Sequence, residues 1–329
     1  MIIARAPLRI PLGGGGTDLP SYYSQHGGFV LSVALDKYVY INVVEPAIGD
    51  TIILKYSRLE SVKTVSDIEQ PLLREAMRFL GIDRPIVIDS IADVPSGTGM
   101  GSSGSFLVAL LLALHTVKRE HVSHKELAEE ACFVEIERVC QPVGKQDQYL
   151  AALGGLTLLD IERDGKVNAS PLALPHEVIE DLQSNLLLFY TGIRRQSFDI
   201  LQEQATDTER RVGHVVESLH HTKAIGLEIK AALEAGELSA FGRLLHRHWE
   251  TKKVRSQAIS GSLIDRWYEI GRASGALGGK LIGAGGGGFL MFYCPAEARA
   301  LVRATMAAEG LPEMRFRFDF EGAKVLVNF

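Results

Sequence analysis

The chain has 329 residues, of which 46% are hydrophobic and 23% are charged, and its formal net charge at pH 7 is −5. The length suits one large domain or two ordinary ones, and the composition is typical of a globular protein. The acidic balance argues against binding to nucleic acid or to anionic membranes, so we expect neither as a partner. The longest apolar run, 106–114, is too short to cross a bilayer, and the N-terminal sequence has no signal-peptide layout.

The cysteines and histidines predict no disulfide framework and no metal site. Cys132, Cys140 and Cys294 lack the spacing of paired-cysteine motifs, which indicates a reducing, cytoplasmic setting. His246 and His248 are two residues apart on a predicted helix, so they cannot share a metal ion. The expected partners are small molecules, and a homodimer stays open.

Hydrophobic periodicity predicts mixed α and β structure in the first half of the chain. Strands are predicted over 29–45, 50–57 and 85–91. Apolar residues at helical spacing predict a helix between the last two of these strands. Two further helices follow: the first begins near Ser103, and the second opens with the Ser123–Glu126 capping box and runs to about Val139. The pair Asp164–Gly165 then predicts the turn of a hairpin.

The second half begins at a buried strand predicted over 184–192. Two or three long amphipathic helices come next, and they are followed by a glycine-rich segment, a helix over 295–309 and an edge strand over 314–320. No repeat or low-complexity linker separates the halves, so we expect them to pack tightly. We divide the chain into domains at 1–180 and 181–329, within a mixed α+β architecture.

Three glycine-rich segments, 13–18, 95–105 and 283–288, are candidates for binding an anion. Glycine lets backbone N–H groups converge on one anion, and a helix N-terminus adds unpaired donors. The segment 95–105, PSGTGMGSSGS, combines both features. An ordinary surface turn explains one such segment well and three badly. A GxGxxG pattern also fits a dinucleotide site, but the strand and acidic residue of such sites are missing, and the sequence contains no Walker motif.

The segment 133–149 supplies candidate carboxylates for catalysis or metal binding. Glu135 and Glu137 diverge by about 200° on a helix, so only one of them can face a shared site, and geometry alone leaves the choice open. Asp147 follows Pro142 and Gly144, where the helix must end, and so falls in a loop or a first helical turn. Phosphoryl transfer needs a phosphate cradle, oxygen ligands for Mg²⁺, a base and a cation, and the sequence offers a candidate for each.

Taken together, these segments resemble the GHMP family of small-molecule kinases. Its three motifs occur in order as APLRIPLGGGGTD, PSGTGMGSSGS and KLIGAGGGGFLMF, and GKQDQY resembles the family's catalytic-aspartate segment. The resemblance covers essentially the whole chain. It implies an N-terminal ribosomal protein S5 domain 2-like domain packed on a ferredoxin-like C-terminal domain, with ATP as the phosphate donor and Mg²⁺ as the metal.

The resemblance also assigns roles to residues. Asp147 matches the base that accepts the proton of the acceptor hydroxyl, and Arg9 matches the basic residue beside it. Ser103 and Glu135 match the Mg²⁺ ligands, and the spacing of Glu135 to Pro142 favours it over Glu137. The nucleotide phosphates are expected on Pro95, Gly97, Gly99, Gly101, Ser102, Ser103 and Gly104.

Substrate contacts are expected from two glycine segments and two cations: Gly15, Gly16, Thr17, Asp18, Lys145, Arg195, Gly285 and Gly286. Thr17 and Asp18 correspond to the Thr-Asp of the galactokinase signature, in which the aspartate binds sugar hydroxyls. Glycine replaces the glutamate that precedes this pair in galactokinases, which favours a bulkier or phosphorylated sugar. Candidate cations for a sugar phosphate are Lys145, Arg194, Arg195, Lys252 and Lys253; Arg195 is preferred because bidentate arginine suits phosphate.

Within the family, GGGGTDLPSYY, GKQDQY and YTGIRRQS are most similar to the branch that phosphorylates the anomeric hydroxyl of D-glycero-D-manno-heptose 7-phosphate. This implies the 1,7-bisphosphate as product, for nucleotide-activated heptose and for capsule or lipopolysaccharide synthesis. Two alternatives stay open. One is a kinase for an unphosphorylated fucose-, mannose- or galactose-like sugar, and the other is a catalytically silent sugar sensor, which the intact set of site residues disfavours.

Overall fold

A computed structural model describes residues 1–194, 197–256 and 258–329 of the chain. Within these residues the larger sheet has eight strands: β1 (Ile2–Gly13), β2 (Gly28–Val44), β3 (Ile52–Lys55), β4 (Leu59–Val62), β5 (Ile86–Ala92), β6 (Leu156–Ile161), β7 (Val167–Pro171) and β11 (Lys324–Asn328). The order along the main path is β11-β1-β2-β5-β3-β4. The first part of β2 pairs with the β6–β7 hairpin and its second part with β5, so the long strand β2 joins the two sections of the sheet.

Five helices accompany this sheet: α1 (Pro20–His26), α2 (Pro71–Leu80), α3 (Ser102–Lys118), α4 (His124–Cys132) and α5 (Gln146–Leu153). Helix α3 is apolar on nearly every side because it packs against β1, β2 and the helices α2, α4 and α5. This packing explains the long apolar run in the sequence, and it holds the N-terminus of α3 at a fixed position. A π-helical segment, Phe133–Arg138, continues directly from α4.

The second part of the chain contains a three-stranded sheet in the order β8-β10-β9, with β8 (Leu186–Tyr190), β9 (Gly278–Leu281) and β10 (Phe289–Tyr293). Its helices are α6 (His176–Asn185), α7 (Ser197–Glu209), α8 (Gly213–Glu234), α9 (Leu238–Lys253), α10 (Ser262–Ala273) and α11 (Arg299–Ala308). Helix α8 packs against β1 and β2, whereas α9 packs against β9. A shared hydrophobic core that includes Leu12, Ile229 and Phe289 therefore connects the two parts.

The predicted capping box and hairpin turn, which each depend on a few adjacent residues, were confirmed. The Ser123 hydroxyl accepts a hydrogen bond from the Glu126 N–H, and the Glu126 carboxylate accepts one from the Ser123 N–H, which completes the capping box. Asp164 and Gly165 lie in the turn between β6 and β7. The helix predicted to continue to about Val139 instead changes to a π-helix after Cys132.

The predicted edge strand at 314–320 was wrong. This part of the chain forms two isolated bridges: Glu313, just before the segment, pairs with Phe189 of the small sheet, and Phe318 pairs with Leu35 of the large sheet. Because its two ends pair with different sheets, the segment cannot form a continuous ladder with either. Its alternating apolar residues pack into the core between the sheets, which accounts for the strand-like pattern.

The chain does not divide cleanly at one position. Residue 180, the predicted boundary between 1–180 and 181–329, lies inside α6, and the last strand β11 returns to pair with β1. Each helix in the described residues is too short or too polar to cross a membrane.

Candidate active site

A cavity of about 680 Å³ is lined by residues from both parts of the chain. The first part contributes Arg9 of β1, Asp147 of α5 and the loop that precedes α3. The second part contributes side chains of α9 and β9 and the glycine-rich loop between β9 and β10. A volume of this size is typical of a site for small molecules.

Arg9 and Asp147 form a nearly buried ion pair at the cavity wall. The Arg9 Nε and Nη2 atoms lie 2.8 and 2.6 Å from Oδ1 of Asp147, and Nη1 donates to the carbonyl of Gly99 at 2.7 Å. Among the described residues no donor hydrogen-bonds to Oδ2 of Asp147. Arg9 therefore fixes one carboxylate oxygen and leaves the other available to accept a proton from a ligand.

The loop before α3 has the geometry of an anion cradle. Gly97, Gly99 and Gly101 all have positive φ, and Gly101 precedes α3 in the left-handed conformation with no side-chain cap on the helix. The first N–H groups of α3 are therefore available to a ligand, together with the positive end of the helix dipole. Ser102 and Ser103 line the cavity at this position.

Two close approaches at this loop require glycine. A Cβ on Gly104 would lie 2.7 Å from Cβ of Asp147, so α3 and α5 could not pack this closely with a larger residue. A Cβ on Gly283 would lie 2.5 Å from Cα of Gly99, so the loops before α3 and after β9 meet backbone to backbone. Both glycine-rich loops thus border one cavity, which explains why the sequence contains more than one glycine-rich segment.

Glu135 lies in the π-helical segment and is fully buried, whereas Glu137 is exposed. Its Oε2 accepts a hydrogen bond from Nε2 of Gln148 at 2.7 Å, and its Oε1 is buried without a partner in the described residues. Burial raises the pKa of Glu135 to about 7, although the nearby Ser103 hydroxyl and Gln148 amide oppose the shift. An orphaned carboxylate oxygen beside a serine hydroxyl fits a divalent cation with oxygen ligands.

The donor set is suited to Mg²⁺ shared with phosphates. The described residues contain no group of three or more histidine, cysteine or acidic side chains that could hold a metal on their own. Mg²⁺ is usually held by one or two carboxylates plus phosphate oxygens and water, so Ser103 and Glu135 suffice when a phosphate is bound.

Asp18 connects the first glycine segment to the helix that carries Asp147. It is 1% exposed, and it accepts hydrogen bonds from the N–H groups of Gly16 and Gln146, both at 3.1 Å. Gln146 is the first residue of α5, so Asp18 caps that helix at its N-terminus. Burial, with a smaller effect of the nearby Asp147 charge, raises the pKa of Asp18. Gly15 and Gly16 line the cavity beside it.

The cavity also contains a group of basic side chains that are almost fully buried, which we call the basic cluster: His248, Lys252, Arg255 and Lys280. Lys252 donates to the carbonyls of Leu281 and Gly283, and Lys280 donates to the carbonyl of Leu12 at 3.1 Å. Arg255 donates to the hydroxyls of Ser218 and Thr222. In the described residues no carboxylate forms a salt bridge with this cluster.

Desolvation dominates the electrostatics of the basic cluster. Burial lowers the pKa of Lys252 to about 7 and that of Arg255 to about 10, and it lowers the pKa of Lys280 well below its usual value. The neighbouring positive charges add to the shifts of the two lysines. Burial likewise lowers the pKa of His248, whose two ring nitrogens have no hydrogen-bond partner in the described residues.

Several residues expected at the site lie elsewhere. Thr17 is buried behind the cavity wall, where its hydroxyl contacts the backbone of Gly14 and Phe29. Lys145 points away from the cavity and donates to the carbonyl of Gly165. The Gly286 N–H donates to the carbonyl of Ile259, so this amide is not free for substrate. These contacts explain why the three residues do not line the cavity.

The structure describes four of the five candidate cations for a sugar phosphate. Arg195, the preferred phosphate ligand, lies outside the described residues. Arg194 is exposed and its Nε donates to the hydroxyl of Tyr190, while Lys253 pairs with Glu250 on the outer side of α9. Of the five candidates, Lys252 is the one that the described structure brings into the cavity.

Sequence reasoning missed the other members of the basic cluster and the apolar lining. The signal for His248 is its position one helical turn before Lys252, which places both side chains on one face of a helix. Lys280 is the first residue of the motif KLIGAGGGGFLMF, but the sequence pattern around it is that of an ordinary strand. The apolar lining includes Val39, Tyr56, Leu72, Val94 and Phe106.

A phosphate cradle beside an arginine-paired carboxylate defines a site for phosphoryl transfer to a small molecule. Models of the GHMP kinases N terminal domain and the GHMP kinases C terminal match residues 64–155 and 229–310. The chain belongs to the GHMP kinase family, and the fold predicted from its motifs is confirmed.

The chain is similar to sugar kinases over its whole length. A D-glycero-alpha-D-manno-heptose 7-phosphate kinase of Campylobacter jejuni is 27% identical over 98% of each chain. The L-fucokinase/L-fucose-1-P guanylyltransferase of Bacteroides fragilis is 25% identical over 97% of this chain, which spans 37% of that protein. The crystal structure of a D-glycero-D-manno-heptose 1-phosphate kinase from Bacteroides thetaiotaomicron covers 100% of both chains, with a TM-score of 0.80 and 24% identity. That structural likeness concerns the fold.

Proposed function

We propose that this GHMP kinase transfers the γ-phosphate of ATP to the anomeric hydroxyl of D-glycero-D-manno-heptose 7-phosphate. The product is the 1,7-bisphosphate, an intermediate for nucleotide-activated heptose and surface polysaccharide. The similarity to the heptose 7-phosphate kinase, which extends over nearly the whole of both chains, supports the choice of acceptor. The chemistry itself is supported by the residues that the cavity brings together.

The observation that carries the proposal is the position of Asp147 between Arg9 and the N-terminus of α3. The carboxylate accepts two arginine N–H groups on Oδ1 and lies against Gly101 and Gly104 at the start of that helix. A base that must act on a hydroxyl next to a transferring phosphate has to occupy such a position. The apolar lining offers a surface for the adenine base at another part of the same cavity.

The proposed reaction needs no covalent intermediate on the protein. The anomeric hydroxyl oxygen forms a bond to the γ-phosphorus, the bond from that phosphorus to the β,γ-bridging oxygen breaks, and ADP leaves. The hydroxyl proton passes to Oδ2 of Asp147. The N–H groups at the start of α3 and the Arg9 guanidinium stabilise the negative charge on the transferred group.

Ser103 and Glu135 would hold Mg²⁺ in this reaction. Their oxygen atoms fit the cation because Oε1 of Glu135 is buried and has no partner among the residues that the structure describes. When bound, Mg²⁺ supplies charge compensation for the phosphates of the nucleotide. Gln148 holds the other carboxylate oxygen of Glu135 and so fixes the direction in which Oε1 points.

The test is an acceptor panel that contains D-glycero-D-manno-heptose 7-phosphate, the same heptose without phosphate, L-fucose, D-mannose and D-galactose. Acceptor-dependent release of ADP is measured at saturating ATP and Mg²⁺. We expect the highest kcat/KM with the heptose 7-phosphate. Turnover of a free hexose with none on the heptose 7-phosphate would overturn the acceptor assignment, and no turnover with any acceptor would favour a sugar sensor.

A further inference from the structure

We propose that the basic cluster binds the phosphate group carried by the acceptor sugar, at a position separate from the phosphates of ATP. This inference rests on the proposed function, because it takes the acceptor to be a sugar phosphate. It gives the kinase a means of selecting phosphorylated sugars, and it locates that selection on α9 and β9.

The first support is a set of buried basic side chains that lack counter-ions among the described residues. Lys252, Arg255 and Lys280 are each at most 7% exposed, and each line the cavity. Their hydrogen bonds go to backbone carbonyls and hydroxyls, and in the described part of the chain no carboxylate lies within 4.0 Å of them. Burial disfavours the charged forms of these side chains, whereas a dianionic ligand in the cavity would stabilise them.

His248 is an independent second observation. It is 2% exposed and lines the cavity, and neither of its ring nitrogens meets a hydrogen-bond partner in the described residues. A buried imidazole without a partner is costly unless a ligand completes its hydrogen bonds. His248 and Lys252 are four residues apart on α9, so they project from the same face of the helix toward the same region. A phosphate bound there would accept from both.

Two members of the cluster, Arg255 and Lys280, contact a segment other than the loop that forms the triphosphate cradle. The ATP phosphates have their own donors in the loop before α3 and the first turn of that helix. Arg255 and Lys280 instead donate to the carbonyls of Gly15 and Leu12, in the first glycine-rich segment and at the end of β1. The same segment leads to Asp18, which accepts from the N-terminus of α5, the helix that carries the proposed base. An acceptor sugar bound along this segment would therefore have both Asp147 and the cluster within the same cavity.

The carboxylates that face this region do not neutralise the cluster. Asp147 is already paired with Arg9, and both oxygens of Asp18 accept backbone N–H groups. Asp93 also lines the cavity, where its Oδ2 accepts from the N–H of Tyr38. The positive charge of the cluster is thus left for a ligand.

The experiment replaces single members of the cluster with methionine, which keeps an unbranched apolar side chain but removes the charged group. Lys280→Met and Arg255→Met are assayed with ATP and heptose 7-phosphate, and with the heptose that lacks the phosphate. We expect KM for the heptose 7-phosphate to rise by about 10- to 100-fold, since each lost contact is a charge-assisted hydrogen bond. The preference for the phosphorylated over the unphosphorylated heptose should fall by a similar factor, with KM for ATP within about 2-fold of the wild type.

Lys253→Met is the matched control. Lys253 is adjacent to Lys252 on α9, but it pairs with Glu250 and does not line the cavity. This variant should retain the wild-type KM for both substrates. Equal effects of Lys253→Met and Lys280→Met would overturn the proposal, and so would a rise in KM for ATP alone, which would assign the cluster to the triphosphate.

Inhibition of the wild-type enzyme by inorganic phosphate provides a test that needs no variant. We expect phosphate to compete with heptose 7-phosphate and to be non-competitive toward ATP; competition with ATP alone would overturn the inference. If the wild type does not phosphorylate heptose 7-phosphate, the proposed function fails. Anion binding by the basic cluster is then tested by thermal melting. Inorganic phosphate should stabilise the wild type and Lys253→Met but not Lys280→Met. Equal stabilisation of all three would overturn it.

Discussion

Glu135→Gln is expected to stabilise the metal-free protein and to abolish its metal-dependent activity. The Glu135 carboxyl is fully buried, and burial raises its pKa from 4.5 to about 7. The folded state therefore binds the proton more tightly than the unfolded state does. Below pH 4.5 the carboxyl is protonated in both states and the effect vanishes. As the pH rises from 4.5 toward 7, the folded protein is progressively destabilised, and the penalty is constant above that window.

The size of the effect follows from the two pKa values. A carboxyl whose pKa is raised from 4.5 to about 7 destabilises the folded state by about 3 kcal/mol at pH 8, since one pKa unit corresponds to about 1.4 kcal/mol. Glutamine resembles the neutral carboxyl in shape and can accept from Gln148 in the same way. We expect Glu135→Gln to raise the free energy of unfolding by about 2–3 kcal/mol at pH 8 and by under about 1 kcal/mol at pH 5.

The assay is urea unfolding in EDTA at both pH values, combined with steady-state kinetics in Mg²⁺. Turnover should fall by at least about 100-fold, because even residues that only orient a metal ligand contribute about 10- to 100-fold. Glu137→Gln is the matched control, since Glu137 lies two residues away in the same π-helical segment but is exposed. It should change neither quantity appreciably. Destabilisation of metal-free Glu135→Gln at pH 8, or a change independent of pH, would refute the reasoning.

Three further changes test other parts of the structure. Asp147→Asn should lower kcat by about 100- to 10,000-fold, because the base is lost, while calorimetry shows unchanged binding of ATP. Gly283→Ala should destabilise the protein by about 1–3 kcal/mol in urea unfolding, because its Cβ would lie 2.5 Å from Cα of Gly99 and its φ is +75°. His115→Gln should lower the free energy of unfolding by about 1 kcal/mol more at pH 6 than at pH 9. Hydrogen bonds to Glu130 and Glu120 raise the pKa of His115, and the extra stability they give the protonated ring is lost as the pH rises through that raised pKa.

Each of these three predictions would be contradicted by a specific result. Normal turnover by Asp147→Asn would exclude Asp147 as the base. Gly213→Ala is the control for Gly283→Ala, because a Cβ at Gly213 meets no atom of the described chain within 4 Å, and equal destabilisation by the two would contradict the steric argument. A cost of His115→Gln that is larger at pH 9 than at pH 6 would contradict the direction of the pKa shift.

The parts of the fold that depend on neighbouring residues could be predicted from the sequence. The capping box at Ser123 and the hairpin turn at Asp164 each need only a few adjacent residues, and both formed as expected. The π-helical segment at 133–138 was not foreseeable, because its hydrogen bonds depend on the packing of Glu135 against α5. The prediction of an edge strand at 314–320 was wrong because apolar alternation does not distinguish two structures. It fits a strand of a single sheet, and it fits equally a segment whose two ends pair with different sheets.

In the candidate site, too, the residues that belong to motifs could be predicted, whereas those brought together only by the tertiary fold could not. Motifs pointed to Arg9 and Asp147, and the structure brings these two side chains together across 138 positions of sequence. The basic cluster was largely missed because its members come from separate elements of the chain, and the motif that contains Lys280 assigns that residue no role. Lys145 is a candidate because of its charge, but at the start of α5 its side chain donates to the carbonyl of Gly165 and does not line the cavity. The charge of a residue can be read from the sequence, whereas the cavity that its side chain reaches depends on the tertiary fold.

The most direct test is to identify the product made from ATP, Mg²⁺ and D-glycero-D-manno-heptose 7-phosphate by phosphorus NMR. We expect a new phosphate resonance coupled to the anomeric proton, which grows in equimolar amount with ADP, while the phosphate at position 7 remains in place. Asp147→Asn under the same conditions should give neither signal. Consumption of ATP without a phosphate on the anomeric carbon, or phosphorylation of a free hexose in place of the heptose 7-phosphate, would contradict the proposed function.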